Sequence, residues 1–63
     1  MNTAFSHITP AIWAARAFVL QTGYAVRVYR RDGEFFLSNH AEDAHLVERI
    51  TPKTASEAMN QGA

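Results

Sequence analysis

Tyr24-Ala-Val-Arg-Val-Tyr-Arg-Arg-Asp-Gly-Glu-Phe-Phe-Leu-Ser38, residues 24–38, is the stretch whose reading decides the fold. Two runs rich in β-branched and aromatic residues flank Asp32-Gly33. Asp-Gly in that setting is a strong short-range signal for a hairpin closed by a two-residue type I′ turn. With Asp32 and Gly33 as the central turn residues, Arg31 stands opposite Glu34 and Arg30 opposite Phe35. Tyr29 then faces Phe36, Val28 faces Leu37 and Arg27 faces Ser38. Side chains alternate between the two faces of a strand. Val26, Val28, Phe35 and Leu37 therefore share one face, with Tyr24 and Arg30 at its ends. Arg27, Tyr29, Arg31, Glu34 and Phe36 share the other. A slip of one residue would exchange the faces, so the assignment stands or falls with the turn.

The first face is a candidate core. The second joins arginine to aromatic side chains, the residue types that dominate interface hot spots. Arg27, Tyr29, Arg31 and Phe36 are accordingly the candidate partner-binding residues. The plainer reading is that Tyr29 and Phe36 form a stabilising cross-strand aromatic pair flanked by solvated arginines.

Upstream, Ile8-Thr9-Pro10 marks a helix start, with Thr9 as N-cap and Pro10 at the first helical position. Ile8 is placed to staple onto Trp13. The helix is expected to run from Pro10 to Gln21 or Thr22 and to stop at Gly23 in the left-handed conformation. It is apolar nearly all round. Ala11, Ile12, Ala15, Phe18 and Val19 form one stripe, Trp13 and Leu20 a second, and Arg16 lies between them with its stem in reach of Trp13. A hairpin cannot cover both stripes. Either the C-terminal segment covers the second or another chain does, and Trp13, Arg16 and Leu20 are the candidate self-association residues.

Downstream, 39–43 is a polar, acidic connection. Residues 44–50 read in two ways. Leu46, Glu48 and Ile50 alternate with His45, Val47 and Arg49, as in a third strand. A helix capped by Asn39 and Glu42 is the alternative. The strand is preferred, because three strands sustain themselves far better than two. Ile50-Thr51-Pro52 repeats the earlier tripeptide and predicts a second helix with Thr51 as N-cap and Pro52 at its first position, ending near Met59 or Asn60. Thr54 and Glu57 form a competing capping box.

The expected fold class is thus α+β: an N-terminal helix packed on a small antiparallel sheet, made of the hairpin plus a possible third strand, and a short C-terminal helix, α-β-β-(β)-α. The 63 residues make a single small domain, with an irregular lead-in and flexible ends at 1–7 and 60–63. A chain this short hides only about 60% of the surface its unfolded form exposes, so it needs help to be stable. Cysteine is absent, which removes disulfides and thiolate metal sites and leaves oligomerisation as the main remedy. Six basic residues balance six acidic ones, so no global field favours nucleic acid or an anionic membrane. The apolar run 11–20 is interrupted by Arg16, too short to span a bilayer, and lacks a basic region before it. A cytoplasmic location is expected, with no membrane partner.

Catalytic signatures are missing from the sequence. Gly23, Gly33 and Gly62 are isolated, so no phosphate-cradling loop exists, and no serine elbow or cysteine nucleophile is present. His40, Glu42, Asp43 and His45 are the one ligand-rich cluster, but the histidine spacing fits no standard zinc pairing and no metal is expected. No cofactor, catalytic residue or small-molecule substrate is expected. The composition suits a non-enzymatic protein-interaction module, a homodimeric accessory or regulatory protein that modulates a larger partner, of the kind phages and mobile elements carry. The alternative is a nucleic-acid-binding regulator that stacks bases on Tyr29 and Phe36 beside Arg27 and Arg31.

Overall fold

Among the described residues five elements follow one another: α1 (Ile8–Thr22), β1 (Val26–Arg31), β2 (Glu34–Ser38), β3 (His45–Ile50) and α2 (Pro52–Gln61). The structure, a computed structural model, describes the backbone of residues 4–61 and the side chains of residues 4–57. The architecture is the expected α-β-β-β-α, and segment 45–50 is a strand, as preferred over a helix.

The hairpin register is the one the turn dictates, pair for pair from Arg27↔Ser38 to Arg31↔Glu34. Asp32 and Gly33 both have positive φ, 56° and 78°, which is the type I′ signature. Val26 and Val28 are buried against α1, and Phe35 and Leu37 pack on the same core. Ala11, Ala15 and Val19, each one helical turn from the next, supply the helix side of that core. Small residues there let the helix approach the sheet closely. Ile50 and Ala55 close the core from the C-terminal side.

The strand order is β2-β1-β3, with β3 antiparallel to β1. This order has a consequence for the sheet's open face. β2 and β3 both run against β1, so they are parallel to each other. β2 ends beside Arg27 while β3 begins beside Arg30. Segment 39–44 must therefore travel across β1 and back along it, about 10 Å each way. Because α1 occupies one face of the sheet, the strap crosses the other.

Three expectations are corrected. α1 begins at Ile8, not Pro10; its N-cap is His7, with no side-chain cap, and Thr9 lies inside the helix. Pro10 is tolerated there because the first four N–H groups of a helix lack intrahelical acceptors in any case. The lead-in is not wholly irregular: Phe5 forms an antiparallel bridge to Phe35, with N–H to O distances of 2.7 and 2.8 Å in the two directions. Residues 1–3, 62 and 63 lie outside the described residues, so the expected ends fall partly beyond them. Finally, α2 extends to Gln61 rather than ending near Met59 or Asn60; Thr51 is its N-cap, as expected, with Thr54 as the reciprocal partner.

Helix ends elsewhere follow expectation. Gly23 has φ 79° and its N–H donates to Val19 O at 2.8 Å. At the start of α2, Thr51 N–H donates to Thr54 Oγ1 at 3.0 Å, and Thr54 N–H donates to Thr51 Oγ1 at 3.2 Å. This is a reciprocal capping box with threonine in the place usually held by Glu or Gln.

Candidate interaction surfaces

Arg27, Tyr29, Arg31 and Phe36 do share the face of the sheet opposite α1, but the strap changes what they present. Tyr29 is only 4% exposed. Its hydroxyl donates to the His40 carbonyl at 3.3 Å and accepts from the Glu42 N–H at 3.2 Å, both groups of the strap. Its ring stacks on Phe36, with centroids 5.5 Å apart and planes inclined by 22°. The Arg31 guanidinium carbon lies 4.8 Å from the Phe36 ring centroid. Tyr29 is thus roofed by the chain itself, and Phe36 is half-buried beside it with a cation already over its ring. Arg27 is half-buried and Arg31 exposed.

The strap is held by its own side chains. Ser38 Oγ accepts from His40 N–H at 3.3 Å and donates to Glu42 Oε2 at 2.8 Å. The same carboxylate oxygen lies 2.6 Å from His40 Nε2. These bonds fold the segment back on the end of β2, which aims the His40 carbonyl at Tyr29. Among the described residues, no three His, Asp or Glu side chains converge as metal ligands.

Sequence reasoning missed two members of this face. β3 carries a bulge: Glu48 pairs with Val28 but Leu46 pairs with Tyr29, leaving Val47 as the extra residue. Strict alternation along 45–50 would have put Leu46 on the helix side with Glu48 and Ile50. The bulge moves it to the open face, where it is 47% exposed. Arg49, opposite Arg27, joins it there. No local sequence signal marks this bulge, since no glycine stands at it.

Trp13, Arg16 and Leu20 lie together on the side of α1 turned away from the sheet. Trp13 is 55% and Leu20 47% exposed. The Arg16 guanidinium carbon sits 5.5 Å from the Trp13 ring centroid, a cation–π arrangement that also lays the arginine stem along the helix. α2 packs on α1 and buries Ala55, yet it leaves this second stripe uncovered.

A depression of about 240 Å³ opens at the hairpin tip between Ala4, Arg31, Asp32, Glu34 and Phe36. It is smaller than the roughly 300–1,000 Å³ of typical small-molecule sites, and its charges are mixed. Among the described residues, no helix is long and apolar enough to cross a membrane. No family model, curated protein or solved structure matches this chain, so its function has to be read from these surfaces.

Proposed function

We propose that the protein is a non-enzymatic interaction module that works as a homodimer, of accessory or regulatory kind, with the outer stripe of α1 as the dimer contact. One observation carries this reading: Trp13 and Leu20, two large apolar side chains, stay exposed on a helix that buries Ala11, Ala15 and Val19 in the core of the domain. The occupant best matched to the stripe is a second copy. Trp13 and Leu20 lie two helical turns apart and flank Ala17. Two copies of α1 crossing antiparallel at Ala17 bring Trp13 of one against Leu20 of the other, twice over, as a two-fold interface requires. Arg16 is the sole charged side chain of α1, and its place along Trp13 puts it at the rim. Burying these side chains also offsets the small core of so short a chain.

Base stacking on the sheet finds less support, because Tyr29 is roofed and the Phe36 ring already has the Tyr29 ring and the Arg31 guanidinium as neighbours. Sedimentation equilibrium at micromolar concentration tests the proposal. A dimer is expected for the wild type and a monomer for Leu20→Glu. A wild type that stays monomeric at high concentration would overturn it. A dimer that persists in both Leu20→Glu and Trp13→Glu would move the contact elsewhere.

A further inference from the structure

Arg27 and Arg49 stand directly opposite each other on adjacent antiparallel strands, on the face away from α1. Side chains so placed leave the backbone about 5 Å apart, and a like-charge pair there destabilises a sheet. Among the described residues, no carboxylate lies within 4.0 Å of either guanidinium to offset the repulsion. The third member of the row, Ser38, holds Glu42, whose Oε2 is already engaged by Ser38 and His40. Arg31, on the same face, has its guanidinium over Phe36. Arg31 lies at the hairpin end of β1, so the like-charge pair that meets across β1 and β3 on this face is Arg27 with Arg49.

We infer that Arg27 and Arg49 form an oxyanion site whose ligand is a phosphate monoester group. Two guanidinium forks present more donors than one carboxylate accepts, since a single fork already satisfies both carboxylate oxygens. A phosphate monoester offers three oxygens and a charge of about −1.5 to −2 at pH 7, which meets both cations at once. Arg27 is half-buried and sits in register between Ser38 on one neighbouring strand and Arg49 on the other, so the strand backbones fix where its fork starts from. The site is independent of the α1 stripe and does not require the dimer.

Titration with inorganic phosphate and with phenyl phosphate at constant ionic strength tests the assignment, read by thermal melts and by side-chain NMR of the arginines. Saturable stabilisation is expected, with the Arg27 and Arg49 signals moving together and Arg31 unmoved. R27Q and R49Q should each weaken binding at least about tenfold, because a charge-assisted hydrogen bond is lost. R49K, which keeps the charge and the fold but loses the fork, should also bind more weakly. In phosphate-free, low-salt buffer R49Q should melt at or above the wild type, since repulsion is relieved. A melting temperature clearly below wild type would show Arg49 to be a structural contact and overturn the inference. So would unsaturable binding, or R27Q and R49K titrations equal to the wild type. Acetate as effective as phosphate would overturn the tetrahedral assignment. An oligothymidylate without terminal phosphate, if it bound as tightly per phosphate, would replace the monoester by a nucleic-acid backbone.

Discussion

Tyr29 on β1 and Phe36 on β2 stack directly across the hairpin at 5.5 Å, and segment 39–44 then closes over Tyr29 by taking its hydroxyl as both donor and acceptor. Of the two readings of this pair, a partner-binding surface and a cross-strand aromatic pair that stabilises the sheet, the stack and the 4% exposure of Tyr29 match the second, and Tyr29 is a second small core. Tyr29→Ala should therefore cost about 3–5 kcal/mol, as for other large buried aromatic truncations. That is comparable with the whole stability of a chain this size, about 3–9 kcal/mol. Tyr29→Phe keeps the stack and loses two hydrogen bonds, which should cost about 1–2 kcal/mol. Chemical denaturation of both variants checks this. A Tyr29→Ala protein as stable as the wild type would show that the strap does not close on the ring.

Gly33 carries the turn by backbone conformation alone. Its φ is 78°, and a Cβ built there meets nothing within 4 Å. The cost of Gly33→Val is then strain without clash, more than about 1 kcal/mol. Asp32→Gly, at φ 56°, should be tolerated far better because glycine adopts that region freely. Comparing the two melting temperatures separates turn strain from loss of any side-chain contact.

Val28 and Val47 are the same residue on neighbouring strands with opposite environments, 0% and 39% exposed. Val28→Ala removes buried methyl groups and should cost on the order of 1–3 kcal/mol. Val47→Ala, at the bulge, should change stability by less than about 0.5 kcal/mol. Denaturant midpoints that moved equally would contradict the bulge and the face assignment with it.

The two Ile-Thr-Pro tripeptides make a matched pair for mutation. Thr51→Ala removes an N-cap with a reciprocal partner and should cost about 1 kcal/mol, and Thr54→Ala a similar amount. Thr9→Ala removes no cap, since α1 has already begun at Ile8, and should be near neutral. Equal losses at Thr9 and Thr51 would mean that both helices start alike.

Legibility followed locality. The hairpin register, the Asp32-Gly33 turn, the Gly23 stop and the burial of Val26 and Val28 are each decided by side chains a few residues apart, and each was read correctly. Arg16 over Trp13 is likewise a contact within one helical turn. The candidate face was read only in outline. Its four residues do lie together, but Leu46 and Arg49 arrive from a strand whose bulge leaves no mark in the sequence. Phe5 reaches Phe35 across 30 residues, a contact that no local pattern announces.

The residue order alone determined the two helices, the hairpin and its inward face, because turn geometry, capping chemistry and period-two alternation act over short range; for residues 44–50 it left strand and helix both open. What tertiary structure decided is clearest where identical local sequence had different fates. Ile50 is paired with Val26 at the end of β3, so its extended backbone leaves Thr51 as the first free cap. Ile8 is held by no strand, and its helix begins at Ile8 itself. The burial of Tyr29 has the same origin. Placing β1 between β2 and β3 sends the connecting chain over the face that alternation alone had assigned to solvent.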